Sequence, residues 1–545
     1  MRSVAWLLRS TAVELRILTK TRQASQLSKI LSLLLDAHDN LEDSVAQDAA
    51  SRLYSDSTFT QLSRTMVPSQ STQMSAPLAN HRLATILNFI NFDIEKVSPP
   101  TWELFDDVQV SALLEQCQVQ NHESAVHEKL IMVPRLHKIL AKELANLQGS
   151  TAMNQRAMIQ SEIQSILMYA VRWNSVQEGA ASRRDLLDAW RQVTEVLLLA
   201  APAEHLPPVS KQQILLQLLQ TLLNKVSTEE AVPGLTILVS SAVLLLLTSL
   251  RETYEKTPDK KSVLGSTYVG VLDAATLEAS SSGEIFSSSL QVILKGLIAW
   301  ITSSGGGSQL IRTNLYAALV AYLRIGKSST LENKRSLELS EKGKLQKVNM
   351  EAIQSVGPGF LEILSRDAVS GHEVRRMLAF AVLDELIFMD RQSYTVRFLA
   401  EHGFIKHIID SLVKEEAGLI NLLTKPNGNI RAMYVYEAKV GLLARLATNH
   451  LGAELLLQAG LMTRLAELTV LDLRPDPDAI LLRNEEDLMS SVLKMYHNIL
   501  FPILRLVQSI LATLGAGNRS AADQTVRFLG GHDDVFSQEW INIKD

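Results

Sequence analysis

Apolar residues in this chain recur mostly at helical spacing, and their stripes are broken by glycine in a repeated way. In residues 371–413, GHEVRRMLAFAVLDELIFMDRQSYTVRFLAEHGFIKHIIDSLV, the pattern predicts one helix, a short turn and a second helix. A break at Gly403 then precedes a third apolar run. Residues 377–383 (MLAFAVL) carry no charge over about two turns, so this helix is predicted to be covered from more than one direction. A glycine at 403 admits the positive φ that ends one helix and starts another at a sharp angle. The device recurs at 455–465, LLLQAGLMTRL, with Gly460 in the place of Gly403. A fainter echo repeats TVRFL at 525–529, followed by Gly530 and Gly531.

Each echo follows a longer stripe. Tyr436, Val440, Leu443 and Ala447 share one helical face, as do Ile499, Ile503, Leu506, Ile510 and Leu514. Pro502, inside the second stripe, marks a helix start or a kink. Long helix, short helix, glycine, helix is the unit of an armadillo/HEAT-like solenoid. The spacing is roughly 60 residues rather than ~40–47, because polar loops intervene. The predicted fold is therefore all-α, an α-helical solenoid of stacked helix pairs and triplets.

The remaining pattern gives N-terminal helices within 1–35, a polar Ser-rich loop at 36–80 and helical solenoid over 81–326. A charged loop follows at 327–348, and the armadillo-like repeats occupy 349–545. Helices are predicted at 4–18, 27–35, 82–91, 126–147, 156–173, 184–199, 211–226, 229–250, 285–301 and 309–325. Another spans 350–364, interrupted at Gly357, Pro358 and Gly359. Residues 254–283 and the charge run 327–347 (KSSTLENKRSLELSEKGKLQK) are predicted to be polar insertions.

Composition supports this reading. Among 545 residues, 25 are Gly and 15 are Pro, well below the average of about 7% and 5%. Leucine is dense and aromatics are 5%, which favours helix almost throughout. The net charge of −5 gives no reason to predict direct binding of nucleic acid. The single cysteine, Cys117, excludes an intrachain disulfide and a multi-cysteine zinc site, and fits a reducing compartment.

The N-terminal apolar run is interrupted by Arg9 and Glu14 before it reaches signal-peptide length. It reads as an amphipathic helix that starts abruptly, as in a chain cut from something longer. Residues 235–250 (LTILVSSAVLLLLTSL) are uncharged, but Pro233, Gly234 and Arg251 flank them and five Ser/Thr interrupt them. A membrane span needs about 20 apolar residues, so the prediction is a buried solenoid helix and no transmembrane segment.

No pattern of catalytic chemistry stands up. Gly326-Lys327-Ser328 resembles the end of a phosphate-binding loop, yet Ala321 occupies the required first glycine and the preceding residues are helical in period. His122, Glu123, His127 and Glu128 place the histidines five apart, off the shared face that a zinc helix needs; a solvated helix start is predicted instead. The triglycine Gly305–Gly307 reads as a helix-hairpin loop. Cys117 shares a stripe with Val110, Leu113 and Leu114 and reads as a buried, inert thiol. Asp476, Asp478, Glu485, Glu486 and Asp487 lack the glycine and spacing of a calcium loop. Lys334, Arg335, Lys342, Lys344 and Lys347 alternate with Glu332, Glu338 and Glu341 and have no aromatic partners, unlike a nucleic-acid site. No catalytic, cofactor or metal residue is assigned, no enzyme is predicted, and partner-binding residues stay unassigned.

Five segments together resemble one family. They are NFDIEKVSPPTWELFDDVQVSALLEQC (91–117), LDAWRQVTEVLL (187–198), RDAVSGHEVRRMLAFAVLDEL (366–386), MYVYEAKVGLLARLA (433–447) and AELLLQAGLMTRLAELTVLDLRP (453–475). In this order they are similar to the large inner-ring scaffold nucleoporins. Members are much longer, so the resemblance implies an internal, C-terminal-half piece. It also implies a right-handed α-solenoid with some kinship of shape to nuclear transport receptors. The implied function is that of a structural constituent of the nuclear pore complex, at the nuclear envelope, supporting nucleocytoplasmic transport. The implied partners are other nucleoporins, namely nucleoporin 93-type and nucleoporin 35/53-type linkers. A soluble armadillo-type adaptor or transport receptor that binds cargo peptides is the alternative.

Overall fold

Helix boundaries in the computed structural model follow local chemistry. It describes residues 1–21, 82–93, 95–103, 105, 107–121, 128–146, 150–200, 206, 208–229, 233–256, 274–305, 309–325, 341–424, 430–475, 486–515 and 517–536. Twenty α-helices occur among these residues, with one two-stranded hairpin. The chain divides into two compact units, Met1–Ser249 and Leu250–Asp545.

The first unit is built on a single helix of 51 residues, Ser150–Ala200. The two helices predicted at 156–173 and 184–199 are one. No proline separates them, and the one glycine of the joining stretch, Gly179, is tolerated within a helix at a cost of about 1 kcal/mol. Helix Arg2–Thr21 lies along it, burying Val4, Ala5, Leu8, Ala12 and Leu15. Arg9 fastens that contact at 3.4 Å from Asp185. Helix Arg82–Phe89 packs on both the long helix and Pro208–Thr228. The indole of Trp190, fully buried, donates to the Leu83 carbonyl at 2.9 Å.

The helix predicted at 126–147 starts later. Strands Gln118–Asn121 and Glu128–Ile131 pair antiparallel, Gln118 opposite Ile131, and helix Val133–Asn146 follows. Pro134, in the first turn of that helix, fixes its start. Asn174 of the long helix holds the hairpin by donating to the Ile131 carbonyl at 2.7 Å and accepting from its N–H at 2.8 Å. Helix Pro233–Lys256 presents Leu235, Val239, Ala242, Val243, Leu246 and Leu247 as one buried stripe. Two helical segments, Gly234–Glu255 and Val492–Leu514, are long and apolar enough to cross a membrane, and the first is half buried within the protein.

The second unit repeats. Helices Ala274–Ser303 and Gln309–Leu323 form a hairpin, and the fully buried Tyr322 hydroxyl lies 2.9 Å from the Leu290 carbonyl. The charged run divides: its end belongs to helix Glu341–Val356, while 326–340 lie outside the described residues. Pro358, the first residue of helix Pro358–Ser370, separates the two helices, with Gly357 at φ 88° before it.

Residues 371–413 form helices Glu373–Met389, Tyr394–Glu401 and Phe404–Lys414 in the predicted order. Asp390 shapes the first turn by accepting from the Gln392 and Thr395 N–H groups. Gly403, at φ 72°, makes the second break, and Gly460, at φ 80°, makes the same break between His450–Gln458 and Leu461–Ala466. Pro502 lies inside helix Glu486–Leu514 rather than at its start. The third echo differs. Gly530 and Gly531 are within helix Arg519–Gly531, and the chain turns at His532 instead.

Candidate partner-binding surfaces

Polar and charged side chains do much of the joining between repeats. Arg324 donates to Glu385 at 2.7 Å, and Arg445 to Asp384 at 2.8 Å. Arg464 meets Asp410 at 2.9 Å, and Asn449 donates to the Ser393 hydroxyl at 2.7 Å. Glu416, almost fully buried, accepts from the Thr469 hydroxyl and the Val470 N–H. His532 is held between the Asp472 carboxylate and the Leu465 carbonyl. These ties join residues 53 to 67 positions apart, about one repeat. Each fixes the register of one repeat on the next.

Two clusters of buried charge stand out. Asp367 accepts from Arg312 at 3.1 and 3.3 Å and from the Tyr316 hydroxyl at 2.8 Å. Burial and the adjacent carboxylate push the Tyr316 phenol far above its ordinary range, so it stays a donor. Lys439, 2% exposed, donates to Glu415 at 2.7 Å. Burial lowers its ammonium to about 8 although Glu415 pulls the other way. Desolvation raises Glu415, but hydrogen bonds from Arg376 and Lys439 outweigh it and hold the carboxyl below its ordinary value.

In the first unit, equivalent side chains fasten the irregular segment after Arg82–Phe89. Glu162 accepts from the Glu103 and Phe105 N–H groups. Lys225 donates to the Ile90 carbonyl and Glu229, 5.1 Å above the Phe92 ring.

Open apolar surface among the described residues includes two patches. Trp6, 70% exposed, lines one face of the first helix with Val13 and Ile17. A groove of about 560 Å³ lies between Glu486–Leu514 and Arg519–Gly531, lined by Leu504, Val507, Leu511, Ala522 and Leu529 among others.

The candidate chemistry fares as follows. Cys117 is fully buried beside Val110, Ile131 and Leu136, with Leu113 and Leu114 packed against the cluster. Burial raises its thiol, and the nearby Arg135 offsets this only in part. Glu128 is on a strand rather than a helix, and His122, Glu123 and His127 lie outside the described residues. So do Gly326-Lys327-Ser328, Gly306, Gly307, Asp476, Asp478 and Glu485. Among the described residues, no three His, Cys, Asp or Glu side chains come together as a metal site.

Helices stacked in register by polar ties define an α-helical solenoid. The sequence pattern of the nuclear pore complex scaffold family, nucleoporins 186/192/205, matches residues 1–538. The chain belongs to that family. It is 31% identical to the human nuclear pore complex protein Nup205 across 98% of this chain and 27% of the relative. The Drosophila melanogaster Nup205 is 30% identical across 83% of this chain and 24% of the relative. The Arabidopsis thaliana NUP205 is 21% identical across 70% and 21%. The chain thus spans about a quarter of the length of the curated relatives it matches.

Proposed function

We propose that this chain is a structural, non-enzymatic segment of the nuclear pore scaffold, held in place at the nuclear envelope by linker nucleoporins of the 93 type and the 35/53 type. The observation that carries the reading is the family match along 1–538. Binding then needs only a surface of the right shape. The groove between Glu486–Leu514 and Arg519–Gly531 suits an amphipathic linker helix, which would insert its apolar residues at i, i+3, i+4 and i+7 spacing.

The test is localisation and exchange of the tagged full-length protein. Rim staining, co-purification with the linkers and very slow recovery after photobleaching support the proposal. Recovery within seconds would favour the transport-receptor reading and overturn it. Leu529→Arg places a charge in the groove at a half-exposed position. It is expected to weaken co-purification at least tenfold while the protein stays folded; unchanged co-purification would remove the groove from the proposal.

A further inference from the structure

The groove between Glu486–Leu514 and Arg519–Gly531 is open and apolar, about 560 Å³, with room left by the small residues Ala512, Gly515 and Ala522. That volume is in the range that encloses a sizeable apolar group. Leu529, 39% exposed, lines it near the end of the second helix, so the groove is reached directly from solvent there.

The chain itself leaves from the same end. After Gly531 it turns at His532, whose carbonyl accepts from the Val535 and Phe536 N–H groups at 3.2 Å. Had the helix run on, the Cα atoms of Phe528 and Phe536 would stand about 12 Å apart. Instead the Phe536 ring meets Phe528 edge-on at 5.7 Å and His532 at 6.4 Å, so the chain has doubled back. Val535 and Phe536 are both buried, which fixes the point of departure beside Phe528, the neighbour of Leu529 in sequence.

Residues 537–545, SQEWINIKD, come next and lie outside the described residues. Their large apolar residues, Trp540, Ile541 and Ile543, are grouped together. At ~3.3–3.6 Å per residue, Trp540 reaches up to about 14 Å from Phe536 and Ile543 up to about 25 Å. The groove lining runs from Leu529 back to Asn518, about 17 Å of helix. Its whole length is within range of the segment.

We propose that residues 537–545 of this chain occupy the groove, with the Trp540 indole seated against Leu529, Ala522 and Leu511. A tethered segment meets its site at an effective concentration in the millimolar range, so the groove fills although so short a segment binds weakly when free. The consequence for linkers rests on the linker reading above. A linker helix must displace the segment, which lowers its apparent affinity by the fraction of grooves left open.

The test uses the full chain labelled with 5-fluorotryptophan. Its six tryptophans give separate ¹⁹F signals, and the one lost in Trp540→Phe belongs to Trp540. On transfer from H2O to D2O, Trp540 is expected to shift less than half as much as Trp6, which is 70% exposed, at every protein concentration. In Leu529→Arg its shift is expected to rise to the Trp6 value. Linker co-purification is expected to increase about tenfold in Trp540→Ser, a change outside the packed helices. A Trp540 as accessible as Trp6 in the unsubstituted chain would overturn the proposal and leave the linker reading in place. So would shielding that survives Leu529→Arg, or shielding that grows with concentration and so comes from a second copy. A shielded Trp540 that Leu529→Arg releases, with linker co-purification indifferent to both substitutions, would support the proposal and overturn the linker reading instead.

Discussion

The pentapeptide TVRFL occurs twice in this molecule with opposite outcomes. At 395–399 it lies between repeats, and Thr395, Val396, Phe398 and Leu399 are all buried. At 525–529 Thr525 and Phe528 are buried, but Val526 is 68% exposed and Leu529 39% exposed. Each copy is followed by a histidine that packs on its phenylalanine: His402 stacks on Phe398 at 4.2 Å, and His532 meets Phe528 edge-on at 5.7 Å. The glycines diverge as well, because Gly403 breaks a helix whereas Gly530 continues one. Five shared residues therefore fix the helix and the inward phenylalanine, while the neighbouring helices decide whether the valine and leucine are covered.

Substitutions can break this comparison, the most damaging first. Val396→Asp would bury an unpaired charge and should cost ~3–5 kcal/mol, as should Leu383→Asp at a fully buried position of helix Glu373–Met389. Val526→Asp should change stability by less than about 0.5 kcal/mol. Denaturant midpoints for the three variants decide the matter, and equal losses at 396 and 526 would mean the two copies are covered alike.

Next come the glycines. Gly403→Val forces a β-branched residue to φ 72° and is expected to cost about 1–2 kcal/mol. Gly530→Ala, with nothing within 4 Å of an added Cβ, should stabilise by about 0.5–1 kcal/mol. Opposite signs in thermal unfolding are the expected result, and matching signs would refute the assignment of the two glycines to different roles.

A third contrast is a pH dependence. Burial lowers Lys439 to about 8, below its value in an unfolded chain. Between about pH 8 and the ordinary lysine value near 10.4, the unfolded state binds more protons, so stability should rise with pH across that window. Lys439→Met should flatten the rise, and an unchanged slope in the variant would assign it to other groups.

The repeats were legible in the sequence because their breaks are local. Gly403 and Gly460 interrupt apolar stripes, and Pro358 stands at a helix start, so short windows contain the signal. The long helix was not legible. Its apolar residues are spread around the axis where it contacts several neighbours, so no single stripe runs through 174–183, and that polar stretch was read as a break. The hairpin was missed because residues 128–131 are too few for an alternating pattern to outweigh the helical stripe that follows; Pro134 was the available signal.

The candidate surfaces were hardest to read. Arg312, Arg375, Glu385, Glu416 and Lys439 look like ordinary helix-surface charges, and only their partners, up to 61 residues away, show that they are buried. The match to the family rested on segments whose order could be read directly. Which side chains meet a partner depends on three-dimensional neighbours.

The ties one repeat apart have a mechanical consequence. A stack in which each unit contacts only its neighbours carries tension in series, and in the second unit several joints have a polar stay beside their apolar seat. Apolar contacts slide, because they are indifferent to register, but Arg464–Asp410 and Glu416–Val470 lengthen at once when one helix shifts along another. Small bending of the stack would therefore load these ties before any core opens. Strain along such a stack is then taken up joint by joint, as in a chain of stiff springs rather than a rigid rod.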